Sequence, residues 1–458
     1  MAASSLEQVV SLAKRRGFIF QSSEIYGGAA AAYDYGPLGV ELKNNLKRLW
    51  WEEMTRSDES IVGLDAAIFM HPKVWEASGH VQSFTDLLVE CHECHKRYRP
   101  DHLLGDERFA EVNGDANALS GALQKEACPH CGVRGTWSEP RQFNLMFTTH
   151  LGVVEGEGAT VYLRPETAQG IYVDAHLVAS AMRLKVPFGI AQIGKAFRNE
   201  VTPGNFLFRT VEFEQMEMQF FVKPRDADAW FKTWKERRWT WYARLGFTDD
   251  AIRFYPHGRD ELAHYAKAAE DIQFHMPFGW QEIEGIHNRG DWDVRRHSEF
   301  SGKDLSFYDE ETKEKFLPWI IETSAGADRI VLALLVHAFH EETVEGETRT
   351  VLRLPHVLVP VQVAVFPLLS NNAELTATAQ EVSRNLREKF RVQYDDGGSI
   401  GRRYRRQDEI GTPFCVTIDH ETLEDSTVTV RDRDAMEQRR VAIRDLPAFF
   451  DGAFAEAP

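Results

Sequence analysis

Cysteine is scarce in this 458-residue chain, with 5 copies, at positions 91, 94, 128, 131 and 415. Four of them form two Cys-x-x-Cys pairs, which excludes a secreted disulfide framework and points to metal binding. Long apolar runs are also missing. Ile330–Phe339 is too short to span a bilayer, and Val357–Leu369 is broken by Pro360 and Pro367. The N-terminal stretch has no apolar core of the signal-peptide kind. Its Leu6, Val9, Val10, Leu12 and Ala13 suit a short amphipathic helix instead. The expectation is a soluble, cytoplasmic chain with no membrane contact. Internal repeats and low-complexity tracts are absent. Positive charge is in deficit: 53 Lys and Arg stand against 70 Asp and Glu, a formal charge of −17. That excess argues against a protein that grips nucleic acid over its whole surface.

What is present is ordinary for a soluble protein, with 43% apolar and 27% charged residues. The length suits two to four domains. Residues 1 to about 350 mix strand-like and helix-like segments without regular alternation. Within them, 86–145 reads as an insertion carrying all four paired cysteines. The acidic stretch His340–Thr350 reads as the exit from this block. From Leu354 to residue 458 the texture changes to a small α/β domain. VLVPVQVAVFPL reads as a buried strand, Asn371–Phe390 as a helix and RVQYDD as a strand. A basic turn follows, then the strand PFCVTID, and TVTVRDRD leading into a last helix. Gly189–Ala196 imitates a phosphate loop, but Ala196 lacks the hydroxyl that would hold magnesium, so it reads as a strand.

Cys91-His-Glu-Cys94 and Cys128-Pro-His-Cys131 fit a closed, four-cysteine structural zinc site, each pair at the tip of a turn. His92, His95 and His130 read as exposed neighbours, and Cys415 as a core residue in an apolar strand. Between the pairs, Asp106–Glu126 reads as a helix with no assignable chemistry.

The densest chemistry lies in Gln192–Phe221, read as an antiparallel hairpin with a long loop that contains VTPGNFLF. Alternation places Glu212, Glu214, Met216 and Met218 on one face of the second strand. Arg209, Phe213, Gln215, Glu217 and Gln219 fall on the other. An Arg, a Phe and a Glu on one face could hold a nucleotide, since Arg pairs with phosphate, Phe stacks on a base and a carboxylate accepts from amines or holds magnesium. The same residues also fit a solvated strand with paired charges.

This segment resembles motif 2 of the class II aminoacyl-tRNA synthetases. Gly326-Ala-Asp-Arg329, opening an apolar helix, is similar to motif 3. The helix in Pro37–Met54, followed by a strand ending at Pro72, is similar to motif 1. Tyr162-Leu-Arg164-Pro165-Glu166-Thr-Ala-Gln169-Gly170, FRTVEFEQMEMQFF and Glu322-Thr-Ser324 resemble the glycyl-tRNA synthetases of the homodimeric type. So do Tyr35-Gly-Pro37, Tyr98-Arg99 and Asp101-His102. The block around Gly401–Gly411 resembles that family's anticodon-binding domain.

The resemblance implies an α+β fold over residues 1–350, an antiparallel sheet of six to seven strands flanked by helices, with the zinc-binding insertion between motifs 1 and 2. An α/β anticodon-binding domain over 354–458 follows. It implies ATP-dependent attachment of glycine to tRNA through a glycyl-adenylate, in a homodimer, with Mg²⁺ on the phosphates and structural Zn²⁺. ATP contacts are implied at Arg198, Asn199, Glu200, Phe208, Arg209, Thr210, Val211, Glu212, Phe213, Glu282, Ile283, Gly326, Ala327, Asp328 and Arg329. The resemblance also implies Arg198 and Arg329 as the catalytic pair. Glycine contacts are implied at Arg99, Glu166, Phe213, Glu214, Gln215, Met216, Glu217, Glu322, Thr323, Ser324, Ala325 and Gly326. A non-enzymatic, synthetase-like accessory or RNA-binding protein is the alternative, and the retained Arg198, Arg209 and Arg329 disfavour it. Two basic stretches are candidates for a tRNA path or for plain solvated surface. Arg384–Arg406 holds eight Lys or Arg against three acidic residues, and Trp230–Arg244 interleaves basic and aromatic residues.

Overall fold

A computed structural model describes residues 5–152, 159–200, 204–258, 261–262, 266–344 and 346–455. Residues 201–203 of the expected motif 2 loop lie outside the described residues. At the centre is a sheet of seven strands: β1 (Ile61–Gly63), β2 (Phe188–Phe197), β3 (Glu212–Val222), β4 (Ile252–Pro256), β5 (Ala268–Met276), β6 (Gly279–Gly290) and β7 (Trp319–Gly326). Their spatial order is β4-β5-β6-β7-β3-β2-β1. All neighbours are antiparallel except β1, which runs parallel to β2. The phosphate-loop imitation is indeed the strand β2.

Six helices surround this sheet: α1 (Leu6–Arg16), α2 (Pro37–Thr55), α3 (Ala168–Met182), α4 (Ala227–Arg244), α5 (Trp292–Ser301) and α6 (Ala327–Ala338). The alternation of β3 explains the layering. Met216, Met218, Phe220 and Val222 enter a core shared with Leu42, Leu46 and Trp50 of α2, Trp234 and Trp241 of α4, and the apolar run of α6. On the opposite face Phe221 joins Ile171, Tyr172 and Ala175 of α3, while Gln215, Glu217 and Gln219 remain as a buried polar strip. Close packing of α2 depends on Gly39, where a Cβ would lie 1.9 Å from the Phe18 carbonyl oxygen.

Several boundaries differ from the sequence expectation. The strand after α2 stops at Gly63, and Pro72 does not end a strand but opens the helix Pro72–Ala77. A proline at the first helical position loses no hydrogen bond, and the His71 side chain accepts from Lys73 N. In the insertion, Asp106–Glu126 is two helices, Asp106–Val112 and Ala116–Leu123. Asn113-Gly114 breaks them, and Asp115 caps the second by accepting from Asn117 N and Ala118 N. The stretch His340–Thr350 belongs to a hairpin of Phe339–Val344 with Glu347–Leu352.

The Trp230–Arg244 stretch is not an open basic surface. It lies in α4, packed on the back of the sheet, and Arg238 is buried with a two-pronged bond to Glu284 at 2.6 and 3.0 Å. Arg237 pairs with Asp58, Arg244 with Glu53 and Lys235 with Glu270. Trp234 and Trp241 are core, while Arg237, Arg244 and Lys232 keep exposed side chains, so most of its aromatic surface is spent on packing.

The C-terminal unit has a second sheet: β8 (Val363–Pro367), β9 (Val392–Tyr394), β10 (Phe414–Ile418), β11 (Thr427–Asp432) and β12 (Gln438–Ala442), in the order β9-β8-β10-β11-β12. Helices α7 (Ala373–Arg387), α8 (Ile400–Ile410) and α9 (Leu446–Ala455) complete it. Only the second half of VLVPVQVAVFPL is strand. TVTVRDRD does not lead straight to a helix, because β12 intervenes. The expected basic turn is the helix α8. Its buried face is polar, which hid it: Arg403 donates to the carbonyls of Asp396 (3.0 Å) and Gly398 (2.7 Å). Asp408 takes Arg349 from the hairpin at 2.8 Å and Arg431 from β11 at 2.9 Å. Among the described residues no helix is long and apolar enough to cross a membrane.

Candidate active site

The polar strip of β3 forms the floor of a cleft, with β6 and β7 beside it. Strand register sets which side chains meet. Glu217 lies opposite Ser324, and Gln219 opposite Glu322. On the other side of β7, Gly285 faces Ser324 and His287 faces Glu322. Gly285 makes room for the His287 ring, since a Cβ would lie 2.6 Å from it. The chain before α3 supplies Glu166 and Thr167 from above.

Three carboxyls converge here, Glu217 and Glu322 buried and Glu166 half-buried, each in a different electrostatic setting. Glu322 accepts from His287 Nδ1 (2.7 Å), from Gln219 Nε2 (2.9 Å) and from Arg289 Nη1 (3.1 Å). Burial disfavours its charge, but Arg289 and His287 outweigh burial and bring its pKa down to about 2. His287 is raised in return, because the bond to Glu322 overcomes its burial. Glu166 meets His80 Nε2 at 3.4 Å and Gln169 Nε2 at 2.8 Å, and these with Arg289 hold it well below the usual carboxylate range despite burial. Glu217 accepts from uncharged donors: Ser324 Oγ (2.7 Å), Gln215 Nε2 (3.3 Å) and the Thr167 hydroxyl. Burial and the negative charges of Glu322 and Glu166 push it up to about 7.

Towards the open end the cleft turns basic and aromatic. Arg198 donates from Nε to the Pro165 carbonyl (3.0 Å), with its guanidinium 5.3 Å from the Phe213 ring and 5.4 Å from Phe84. Arg329 stands in the first turn of α6, pairs with Glu282 at 3.1 Å and lies 4.5 Å from the Phe208 ring. Arg209 lines the same space. Three guanidinium groups and the N-terminus of α6 around one cleft make a strong anion site. Behind it Asp328 is pinned by three groups: Tyr35 Oη (2.5 Å), Lys43 Nζ (2.8 Å) and the Glu214 amide (2.7 Å).

The cleft brings together Glu166, Arg198, Glu200, Phe208, Arg209, Thr210, Phe213, Gln215, Glu217, Glu282, Glu322, Ser324, Gly326, Asp328 and Arg329 from the expected set. Other members of that set lie elsewhere. Glu214 and Met216 occupy the far face of β3, Glu214 paired with Lys43 and Lys47 and Met216 in the core. Thr323 and Ala325 alternate away from the cleft in the same manner. Ile283 and Ala327 are core residues. Glu212 pairs with Lys195, and Asn199 and Val211 bond through their amides to the carbonyls of Leu145 and Ala31. Arg99 is held in the insertion by Asp86 (2.9 Å) and Asp101 (2.7 Å). Residues that the sequence reading missed are His80, Thr167, Gln169, His287, Arg289 and Asp293. For His287 and Arg289 a signal existed, since they alternate with Gly285 in EGIHNRG on one strand face.

Comparison with known proteins now decides the family. Residues 152–338 match a profile described as the tRNA synthetase class II core domain (G, H, P, S and T), and residues 362–452 match one described as an anticodon binding domain. A glycine–tRNA ligase of Treponema denticola is 52% identical over 96% of this chain and 95% of its own length. Those of Streptomyces coelicolor (52%) and Thermobifida fusca (51%) are similar over 98% of both chains. This chain belongs to the glycine–tRNA ligase family. Its class II core is the seven-stranded unit, and its anticodon-binding domain is the five-stranded one.

The insertion of this glycine–tRNA ligase family member carries a second constellation. The Sγ atoms of Cys91 and Cys131 are 3.7 Å apart, those of Cys94 and Cys128 are 3.6 Å apart, and all four lie within 4.8 Å of one another. Tetrahedral thiolates about 2.3 Å from one zinc ion are about 3.8 Å apart. The donor set therefore fits one tetrahedral ion.

Proposed function

We propose that this chain activates glycine with ATP and transfers it to the 3′-terminal ribose of tRNA. The observation that carries the reading is the junction of two sites: three carboxyls, two of them buried, meet three arginines in one cleft. The glycine carboxylate, already ionised at neutral pH, attacks the α-phosphorus and pyrophosphate leaves. The protein's task is to place the reactants and neutralise charge. Arg198 takes the α-phosphate, Arg209 and Arg329 the β- and γ-phosphates, Phe213 stacks on adenine and Glu200 accepts from its amine. Mg²⁺, when bound, offsets charge between the phosphates, and Glu282 is the carboxylate that suits it. Glu166, Glu217, Glu322 and Ser324 receive the ammonium. A pocket filled by these side chains rejects an amino acid that adds even a methyl group.

Several finer features belong to the same reading. The four cysteines hold a structural zinc ion. Two copies form a homodimer in the cytoplasm. Residues 1–350 are the catalytic domain and 354–458 carry the anticodon site. Pyrophosphate exchange with each amino acid tests the core reading. Exchange with glycine supports it; no exchange overturns it; exchange with alanine or serine instead assigns a different substrate.

A further inference from the structure

Three carboxyls cannot face one ammonium without help, and a fourth, Asp293, lies just behind them. One guanidinium sits among the four. Arg289 of β6 is 3% exposed. Its Nη1 donates to both oxygens of Glu322, at 3.1 and 3.3 Å. Its Nε and Nη2 donate to Asp293 of α5, at 2.8 and 3.1 Å. Asp293 also accepts from Gln169 Nε2 at 3.1 Å, and that same amide donates to Glu166 at 2.8 Å. His297 fixes the amide through Gln169 Oε1 at 2.7 Å. The chain of bonds runs from Glu322 through Arg289, Asp293 and Gln169 to Glu166.

We propose that Arg289, braced by Asp293 and Gln169, is the positioning residue that holds Glu322 and Glu166 as oriented anions for the substrate ammonium. This rests on the cleft being the glycine site. The role needs a fork, because one planar group must span two carboxylates at once, which a lysine cannot do. The remaining charged groups around the cluster do not replace it. Arg164 gives its donors to the carbonyls of Lys195 and Ala66 at 2.6 and 2.8 Å. Arg296 of α5 turns to the Ala77 carbonyl, at 3.0 Å. His80 faces Glu166 and His287 faces Glu322. Glu282 on β6 is paired with Arg329, and Tyr172 of α3 donates to Gln219 at 2.8 Å. Glu217 is left with uncharged donors, so it is the carboxyl free to exchange a proton when the ammonium arrives.

Glycine-dependent pyrophosphate exchange, measured across pH for the wild type, Arg289→Gln, Arg289→Lys and Asp293→Asn, tests the inference. Wild-type exchange must depend on glycine; if it does not, the function reading fails before this one is reached. Arg289→Gln is expected to raise the glycine KM about 100-fold, as for a broken buried pair, while the ATP KM moves less than about threefold. Loss of the cation should shift the acid limb of kcat/KM for glycine up by about one pH unit. Arg289→Lys should restore the limb but only part of the KM. Asp293→Asn, which removes a negative charge, should move the limb the other way. A wild-type glycine KM in Arg289→Gln overturns the proposal, as does an equal rise in both KM values. Should that variant fail to fold, an unmoved acid limb in Asp293→Asn overturns it instead.

Discussion

Glu217 shows how one residue's setting becomes a measurable property. Burial and its two anionic neighbours push its pKa up to about 7, so a large share of it is protonated at neutral pH. Glycine brings a positive charge that favours the anion, so binding expels the proton. The glycine KM is therefore expected to fall as pH rises from 6 to 8, by at most about tenfold per unit, and to level off above the transition. A flat glycine KM over that range, measured by exchange, would contradict the assignment. Arg198 gives a second prediction at this scale. It is anchored by one carbonyl bond and two ring faces, so Arg198→Ala should leave the melting temperature within a few degrees and abolish exchange. The alternation of β3 made half of this site readable from sequence, because Gln215 and Glu217 share a face. His80, Thr167 and Asp293 were not readable. They reach the cleft from three separate segments, and no local pattern marks side chains whose cleft partners lie about 50 to 120 positions away: Thr167 with Glu217, His80 with Glu166 and Asp293 with Gln169.

At the scale of elements, the insertion and α8 carry the clearest expectations. The insertion's core is small, built around Val89, Leu104, Leu119, Leu123 and Trp137 beside the cysteines. With the zinc proposed above, such a unit would lean on the ion for stability. Cys91→Ser should lower bound zinc below one equivalent and open the 95–127 segment to protease, while the rest of the chain resists. Full protease resistance in a metal-free protein would show that the apolar core suffices. Helix α8 was illegible for a physical reason: its buried face is Arg403, Gln407 and Asp408 rather than leucine. Hydrophobic periodicity is blind to a helix packed through ions. Arg349 has no exposed surface, and Arg349→Met leaves the buried Asp408 charge with Arg431 at 2.9 Å and the more distant Arg405 at 3.9 Å. That change should cost about 3 kcal/mol in urea unfolding, with the C-terminal unit melting first.

For the whole molecule, the charge of −17 leaves Arg384–Arg406 as the candidate basic zone for tRNA. Most cations of Arg384–Arg406 are already engaged: Arg391 and Arg403 with carbonyls, Arg406 with Asp395, Arg405 with Asp408 and Lys389 with Asp451. Arg402 is exposed on the first turn of α8. Arg402→Glu is expected to weaken tRNA charging several-fold and to spare pyrophosphate exchange, since α8 lies in the other unit. The order of the three motifs was legible across nearly 300 residues. The interleaving of the units was not, because it depends on side chains such as Arg349 that cross the expected boundary.

The carboxylate of Asp328 has a consequence for how this chain can be divided. Its three partners come from residues 33–35, from α2 and from β3. A fragment limited to 152–338, the stretch matched by the class II core profile, would lack Tyr35, Lys43 and the edge strand β1. It would present an unneutralised buried acid and the bare apolar surface once covered by Leu42, Leu46 and Trp50. Such a fragment should be recovered as insoluble material, whereas co-expression with residues 5–83 should return part of it to solution. The shortest autonomous unit of this enzyme family member is set by one acid's partners rather than by the limits of sequence similarity.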